Sequence, residues 1–179
     1  HRPYIELLEA VSEISGVRNV FVSSGIRHDV ALRDTDFIEK LVKDNVSGYL
    51  KIAPEHFAPE VLKLMRKPSP GLWRRFKELF ESFSREAGRE QYIEPYIIVA
   101  FPGCDMDHML MAADELRRQN MRPEKAQIFL PTPMTMATAM YHTGINPETG
   151  SQIYVARKPS QKRRQLEVLP GHSGQKRSE

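Results

Sequence analysis

From Val17 to Leu130 the chain alternates short β-rich apolar runs with amphipathic helical stretches, repeating roughly every 30 residues, which is the pattern of parallel strands joined by right-handed crossovers. Four runs carry the strand signal: Val17–Val22, Tyr49–Ala53, Tyr96–Phe101 and Lys125–Leu130. The third is almost unbroken in its apolarity, as a strand covered on both faces must be. A first helix with Tyr4, Ile5, Leu7, Leu8, Val11 and Ile14 at helical spacing ends near Ser15, where Gly16 tolerates a left-handed exit. Asp34 or Thr35 caps a second, whose apolar face is Phe37, Ile38, Leu41, Val42 and Val46. Pro59 opens a short helix carrying Val61, Leu62, Leu64 and Met65, which Pro68 and Pro70 stop. Leu72, Trp73, Phe76, Leu79, Phe80, Phe83 and Ala87 make the core face of the next, closed by Gly88. From Asp105 a capped helix turns Met109, Leu110, Ala112, Ala113 and Leu116 inward, and everything after Pro131 is turn-rich. Four strand–helix repeats fit either an open doubly wound sheet or part of a barrel whose remaining strands lie upstream.

With 179 residues, 40% hydrophobic and 27% charged, the chain has the make-up of one globular unit rather than a disordered or membrane protein. No run approaches about 18 apolar residues, which excludes a spanning helix. The single cysteine, Cys104, excludes an internal disulfide framework and a metal site made mainly of local thiolates, and favours a cytoplasmic home. The sequence opens at His1 inside a helical pattern, without initiator Met or leader, and so reads as a piece of a longer protein. Charge is uneven: seven Lys/Arg and two Glu fall within residues 156–179, leaving 19 basic and 21 acidic residues before them. The division expected is therefore a folded body over 1–156 and a basic, solvated, disordered tail over 157–179. The rival reading is a non-catalytic nucleic-acid-binding module using Lys158, Lys162, Arg163, Arg164, Lys176 and Arg177, although no aromatic residues are interleaved with these charges for base stacking.

In either architecture ligands gather at the C-terminal ends of the strands, which directs attention to Ser23–Asp29, Ala53–Phe57, Phe101–Asp105 and Pro131–Thr143. Ser24 and Arg27 offer a hydroxyl and a guanidinium suited to carboxylates, against the plainer reading of a Ser/Gly turn with an Arg27–Asp29 surface pair. Lys51 and Glu55 flank the end of the second run, and a carboxylate there accepts hydrogen bonds from a ribose diol or an ammonium group, or else prepares the next helix. Phe101, Pro102 and Gly103 shape a tight turn at which a ligand approaches backbone. Cys104 beside a helix start fits a nucleophile on paper but has no histidine partner in a recognisable motif, so a packing role stands against it. Pro131 and Thr132 belong to a stiff exit whose backbone groups suit the edge of a flat heteroaromatic ring, with Met134, Met136 and Met140 lining a pocket or plugging a barrel end. Neither a His-based metal motif nor a glycine-rich phosphate loop is present.

In order, the strings RPYIELL, VFVSSGIRHD, VSGYLKIAPEH, PYIIVAFPGC and FLPTPMTMATAMYHTG resemble the C-terminal half of the YgiQ-type radical S-adenosylmethionine iron–sulfur proteins over residues 2–156. The resemblance implies a partial (β/α)6 barrel, TIM-like, of which this chain supplies the last four βα units. It also implies S-adenosylmethionine and a [4Fe–4S] cluster in the full-length parent, acting on a substrate the sequence does not name. The CxxxCxxC loop that holds the cluster in that family is missing here and Cys104 cannot replace three thiolates, so this piece alone is expected to bind no cluster and to be inactive. By barrel position, Ser24 and Arg27 face the methionine carboxylate or substrate, Lys51 and Glu55 the ribose, Phe101, Pro102 and Gly103 the adenosyl group, and Pro131 and Thr132 the adenine. Tyr141–His142 departs from the doubled tyrosine common in relatives. The partner implied is the N-terminal half of the same barrel; without it, two open sheet edges favour self-association.

Overall fold

The computed structural model describes residues 1–172. Its elements are α1 (Arg2–Ser12), α2 (His28–Ala31), α3 (Thr35–Asp44), β1 (Tyr49–Glu55), α4 (Pro59–Leu64), α5 (Pro70–Glu86), β2 (Tyr92–Val99), α6 (Met106–Arg118), β3 (Ala126–Ile128), α7 (Met136–Thr143) and α8 (Pro159–Glu167). The fold is α/β, with a small parallel three-stranded sheet ordered β1-β2-β3 that is not closed. The chain divides into two compact units rather than the single one its length implies: His1–Ala53 with Gly71–Glu94, and Pro54–Pro70 with Pro95–Glu179.

In the first unit, helix periodicity does what the sequence predicts. Asp34 caps α3 by accepting a hydrogen bond from the Phe37 amide at 3.1 Å, and Phe37, Ile38, Leu41 and Val42 are all buried. Along α5, Trp73, Phe76 and Phe80 are fully buried, each contributing roughly 1.5–3 kcal/mol by removal from water. Gln91 closes this unit: its Nε2 donates to the carbonyls of Val42 at 3.0 Å and Val46 at 2.9 Å, while its Oε1 accepts from Ser84 Oγ at 2.9 Å. The Val42 carbonyl is one that the end of α3 leaves without an intrahelical partner, and Val46 lies just past that end. Among the described residues, only Leu8 of α1 is buried, and Leu7 and Ile14 stand more than half exposed, so the apolar face expected there is largely uncovered.

One expected strand is absent. Val17–Val22 forms no ladder; its ties are the Val22 amide to the Asn45 carbonyl at 2.9 Å and Asn45 Nδ2 to the Val20 carbonyl at 2.9 Å, and Phe21 is exposed. Strand-like pairing begins only at Ile26, which bridges Ile52 in parallel. β-branched residues favour the pleat, but a strand needs a continuous neighbour to pair with. Among the described residues three strands, not four, are therefore observed.

In the second unit β2 and β3 pair in parallel, Ile97 opposite Ala126 and Val99 opposite Ile128. Asp105 and His108 cap α6 reciprocally: Asp105 Oδ1 accepts from the His108 amide at 3.1 Å and His108 Nδ1 from the Asp105 amide at 3.4 Å. Met109, Ala112, Ala113 and Leu116 are buried as expected, but Leu110 lies on the exposed side. The segment after Pro131 is more regular than its turn-rich composition implies, since Thr135 caps α7 through the Thr138 amide at 3.2 Å and Gly144 ends it at φ +71°. The expectation of a tail without fixed structure is corrected over 159–167, where α8 forms on Pro159 as first helical residue and buries Gln165, with Leu169 buried just beyond. Lys176 and Arg177 lie outside the described residues.

Candidate functional site

Two strand exits of the second unit hold non-glycine residues in the left-handed region, as do Arg66, Asn120 and Met134 elsewhere in that unit. Glu55, the last residue of β1, has φ +68°, and Ala100, one residue past β2, has φ +59°. Both sit in the left-handed region that costs a non-glycine residue of order 1 kcal/mol or more, and such positions collect at ligand sites. The twist at Glu55 holds its carboxylate inward. Oε1 accepts from Lys67 Nζ at 3.0 Å, while Oε2 is buried with no hydrogen-bond partner. A buried carboxylate oxygen without a donor is short by about 1–3 kcal/mol, and a hydroxyl or ammonium group brought to it repairs the shortfall.

The turn after β2 is locked from three sides. Gly103 has φ +90°, which strains any other residue, and a Cβ placed on it would stand 2.1 Å from Leu64 Cδ1 and push that side chain aside. Its amide donates to the Tyr154 carbonyl at 2.7 Å. From α8, the buried amide of Gln165 reads both strands of the turn: Oε1 accepts from the Ala100 amide at 2.8 Å and Nε2 donates to the Cys104 carbonyl at 2.7 Å. Periodicity did not mark Gln165, because a buried amide on a polar helix is invisible to an apolar count.

Cys104 does meet a histidine, 48 residues away in sequence: His56 Nε2 lies 3.5 Å from its Sγ. His56 Nδ1 accepts from the Ala58 amide at 2.9 Å, which leaves the ring proton on Nε2, directed at the sulfur. Burial pushes the thiol up to about 12 and drops His56 to about 3, so at neutral pH both are uncharged. A thiol so high is not an activated nucleophile, and the pair is a buried polar contact that joins the start of α4 to the start of α6.

The remaining candidates fall as follows. In the first unit Ser24 is exposed, the Ile26 amide donates to the Lys51 carbonyl at 3.1 Å, the Lys51 side chain is exposed, and Arg27 Nη2 pairs with Asp29 at 2.6 Å. That pair raises Arg27 and lowers Asp29, in the second case against burial, which acts the other way. In the second unit Phe101 and Pro102 are buried, Phe101 packing edge-on to Phe129 at 5.2 Å. Pro131 is half-buried and Thr132 exposed, and the Thr132 carbonyl already accepts from Thr135 Oγ1 at 2.9 Å and Thr138 Oγ1 at 2.6 Å. Met134 and Met136 face solvent, and only Met140 is buried, so the three do not line one pocket.

For an iron–sulfur cluster the donor chemistry is wrong. Among the described residues no three His, Cys, Asp or Glu side chains group to hold a metal ion, and the lone thiol keeps its proton. No helix among the described residues is long and apolar enough to cross a membrane.

Comparison with known proteins places these features in a larger frame. The family described as Domain of unknown function (DUF3362) matches residues 124–173, the stretch holding β3, α7 and α8. A UPF0313 protein of Methanosarcina acetivorans is 41% identical over 94% of this chain, and one of Vibrio cholerae is 40% identical over 96%; in each case the match covers 23% of the relative. For a UPF0313 protein of Clostridium perfringens the figures are 40% identity, 94% of this chain and 26% of the relative. Over most of its length this chain is therefore similar to UPF0313 proteins, and it spans about a quarter of the length of those it matches.

Proposed function

We propose that this chain is the S-adenosylmethionine- and substrate-facing part of a longer radical S-adenosylmethionine enzyme, supplying the later strands of a partial (β/α)6 barrel. The reading joins the YgiQ-type resemblance to the similarity with UPF0313 proteins about four times its length. The single observation that supports it most is Glu55: a strained residue at the end of a parallel strand, with one buried carboxylate oxygen in need of a donor. In this reading Glu55 accepts from a ribose hydroxyl, Lys67 keeps its other oxygen in place, and the Gly103 turn admits the adenosyl group beside backbone. Within the same unit, Pro131 with Thr132 takes the adenine side. Thiolates for the cluster come from the part of the longer protein outside this chain, because the donors here do not fit it.

The test uses the longer protein. Calorimetric titration with S-adenosylmethionine is expected to show Glu55→Gln binding about tenfold more weakly, the loss of one charge-assisted hydrogen bond. Unchanged affinity removes Glu55 from the site. Anaerobic reconstitution with iron and sulfide, followed by an assay for 5′-deoxyadenosine, tests the class itself: a reconstituted protein that makes none under reducing conditions ends this reading.

A further inference from the structure

Tyr141, in the last turn of α7, gathers two cations that no carboxylate neutralises. The Arg157 guanidinium carbon lies 5.5 Å from the centre of its ring and Lys162 Nζ 5.1 Å from it. Lys162 Nζ also donates to the Tyr141 hydroxyl oxygen at 3.4 Å, and Arg157 Nη2 to the His142 carbonyl at 2.9 Å. In the same unit Arg66 pairs with Glu148, Lys67 with Glu55, Arg117 with Asp114 and Arg118 with Glu115, so what sets Arg157 and Lys162 apart from the other cations is that both stand against one aromatic ring. Among the described residues Arg157 and Lys162 have no ion pair of any kind. A ring face attracts one cation, but two around one ring repel each other, and an anion placed between them turns that repulsion into attraction.

The position is fixed, not a chance meeting of surface chains. Tyr141 packs 5.9 Å from Phe129, which packs 5.2 Å from Phe101 at the exit of β2, while the buried Gln165 anchors the helix that carries Lys162. With Lys162 donating to its oxygen, the Tyr141 hydroxyl keeps its own proton to give. We propose that Tyr141, Arg157 and Lys162 form a binding site for the phosphoryl group of a small molecule. Two separate positive charges and a hydroxyl donor suit a tetrahedral dianion with three free oxygens better than a flat, singly charged carboxylate. The site uses none of the residues assigned to the cofactor, so it stands or falls separately from the radical-enzyme reading.

The experiment is a titration of the full chain with inorganic phosphate at low ionic strength, followed by backbone amide NMR. Saturable shifts confined to 141–143 and 157–162 are expected, with Arg157→Gln and Lys162→Gln each weakening binding about tenfold. The charge-preserving Arg157→Lys and Lys162→Arg variants are expected to stay within about threefold of the parent, and acetate to bind about tenfold more weakly than phosphate. Shifts that do not saturate and spread over all basic residues, neutral variants that bind like the parent, or acetate equal to phosphate would overturn the site. If a neutral variant fails to fold, Tyr141→Phe decides instead: a loss of about threefold supports the site and unchanged affinity defeats it.

Discussion

Two glutamines, Gln91 in the first unit and Gln165 in the second, make similar sets of hydrogen bonds for different ends. Gln91 accepts from a serine and donates to two carbonyls, one in the last turn of α3 and one just past its end. Gln165 grips a strand exit whose backbone is in the left-handed region, one residue beyond β2. The first amide completes a fold that apolar burial already dictates. The second holds a conformation that the local sequence does not favour, and it does so beside Phe101, Pro102 and Gly103. Strain maintained by a buried polar clasp gives up stability locally, and positions of that kind collect at ligand sites. The first unit is held by hydrophobic packing and the second, at its strand ends, by polar bonds.

Three experiments break or sharpen that contrast. The largest effect belongs to Trp73→Ala, which empties a fully buried site on α5 and is expected to cost about 3–5 kcal/mol in urea unfolding followed by circular dichroism. A loss under about 1 kcal/mol would show that the apolar core is not what holds the first unit. Next comes Gln165→Ala, which leaves the Ala100 amide and the Cys104 carbonyl without their partners and is expected to cost about 2–3 kcal/mol. Hydrogen exchange is expected to quicken at Ala100 and Gly103 while amides around Phe76 keep their protection; equal quickening in both places would abolish the distinction.

The smallest effect, read over the first pH unit below 6.5, is one of acidity. His56 is lowered to about 3, first by burial and then by His108, whereas the unfolded chain takes up that proton near 6.5. Stability from this group is thus complete above pH 6.5 and is lost as pH falls from there toward 3, with a slope of roughly 1 kcal/mol per pH unit. The urea midpoint measured across that range is expected to fall in the parent and to flatten in His56→Gln. An equally steep fall in the variant would assign the acid sensitivity to other groups.

Sequence periodicity made α3, α5 and α6 legible because each has an apolar face, and for α3 and α6 the capping side chains that answer their open amides were legible too. It failed where the deciding contact is distant or polar. Val17–Val22 has the residues of a strand but no neighbour along its length. The helix α8 has almost no apolar face, and its anchor is an amide 65 residues from the backbone it binds. The meeting of His56 with Cys104 spans 48 residues and follows no local motif. The strand-end positions themselves were legible; that Glu55 and Ala100 would be left-handed was not, since neither is a residue type that signals it.

The clasp on Ala100 also sets an order of events during synthesis. Its partner emerges from the ribosome only after 65 more residues have been made, so the β2 exit spends that interval without the bonds that hold it. Translation must pass Gln165 before this edge of the protein takes its final shape.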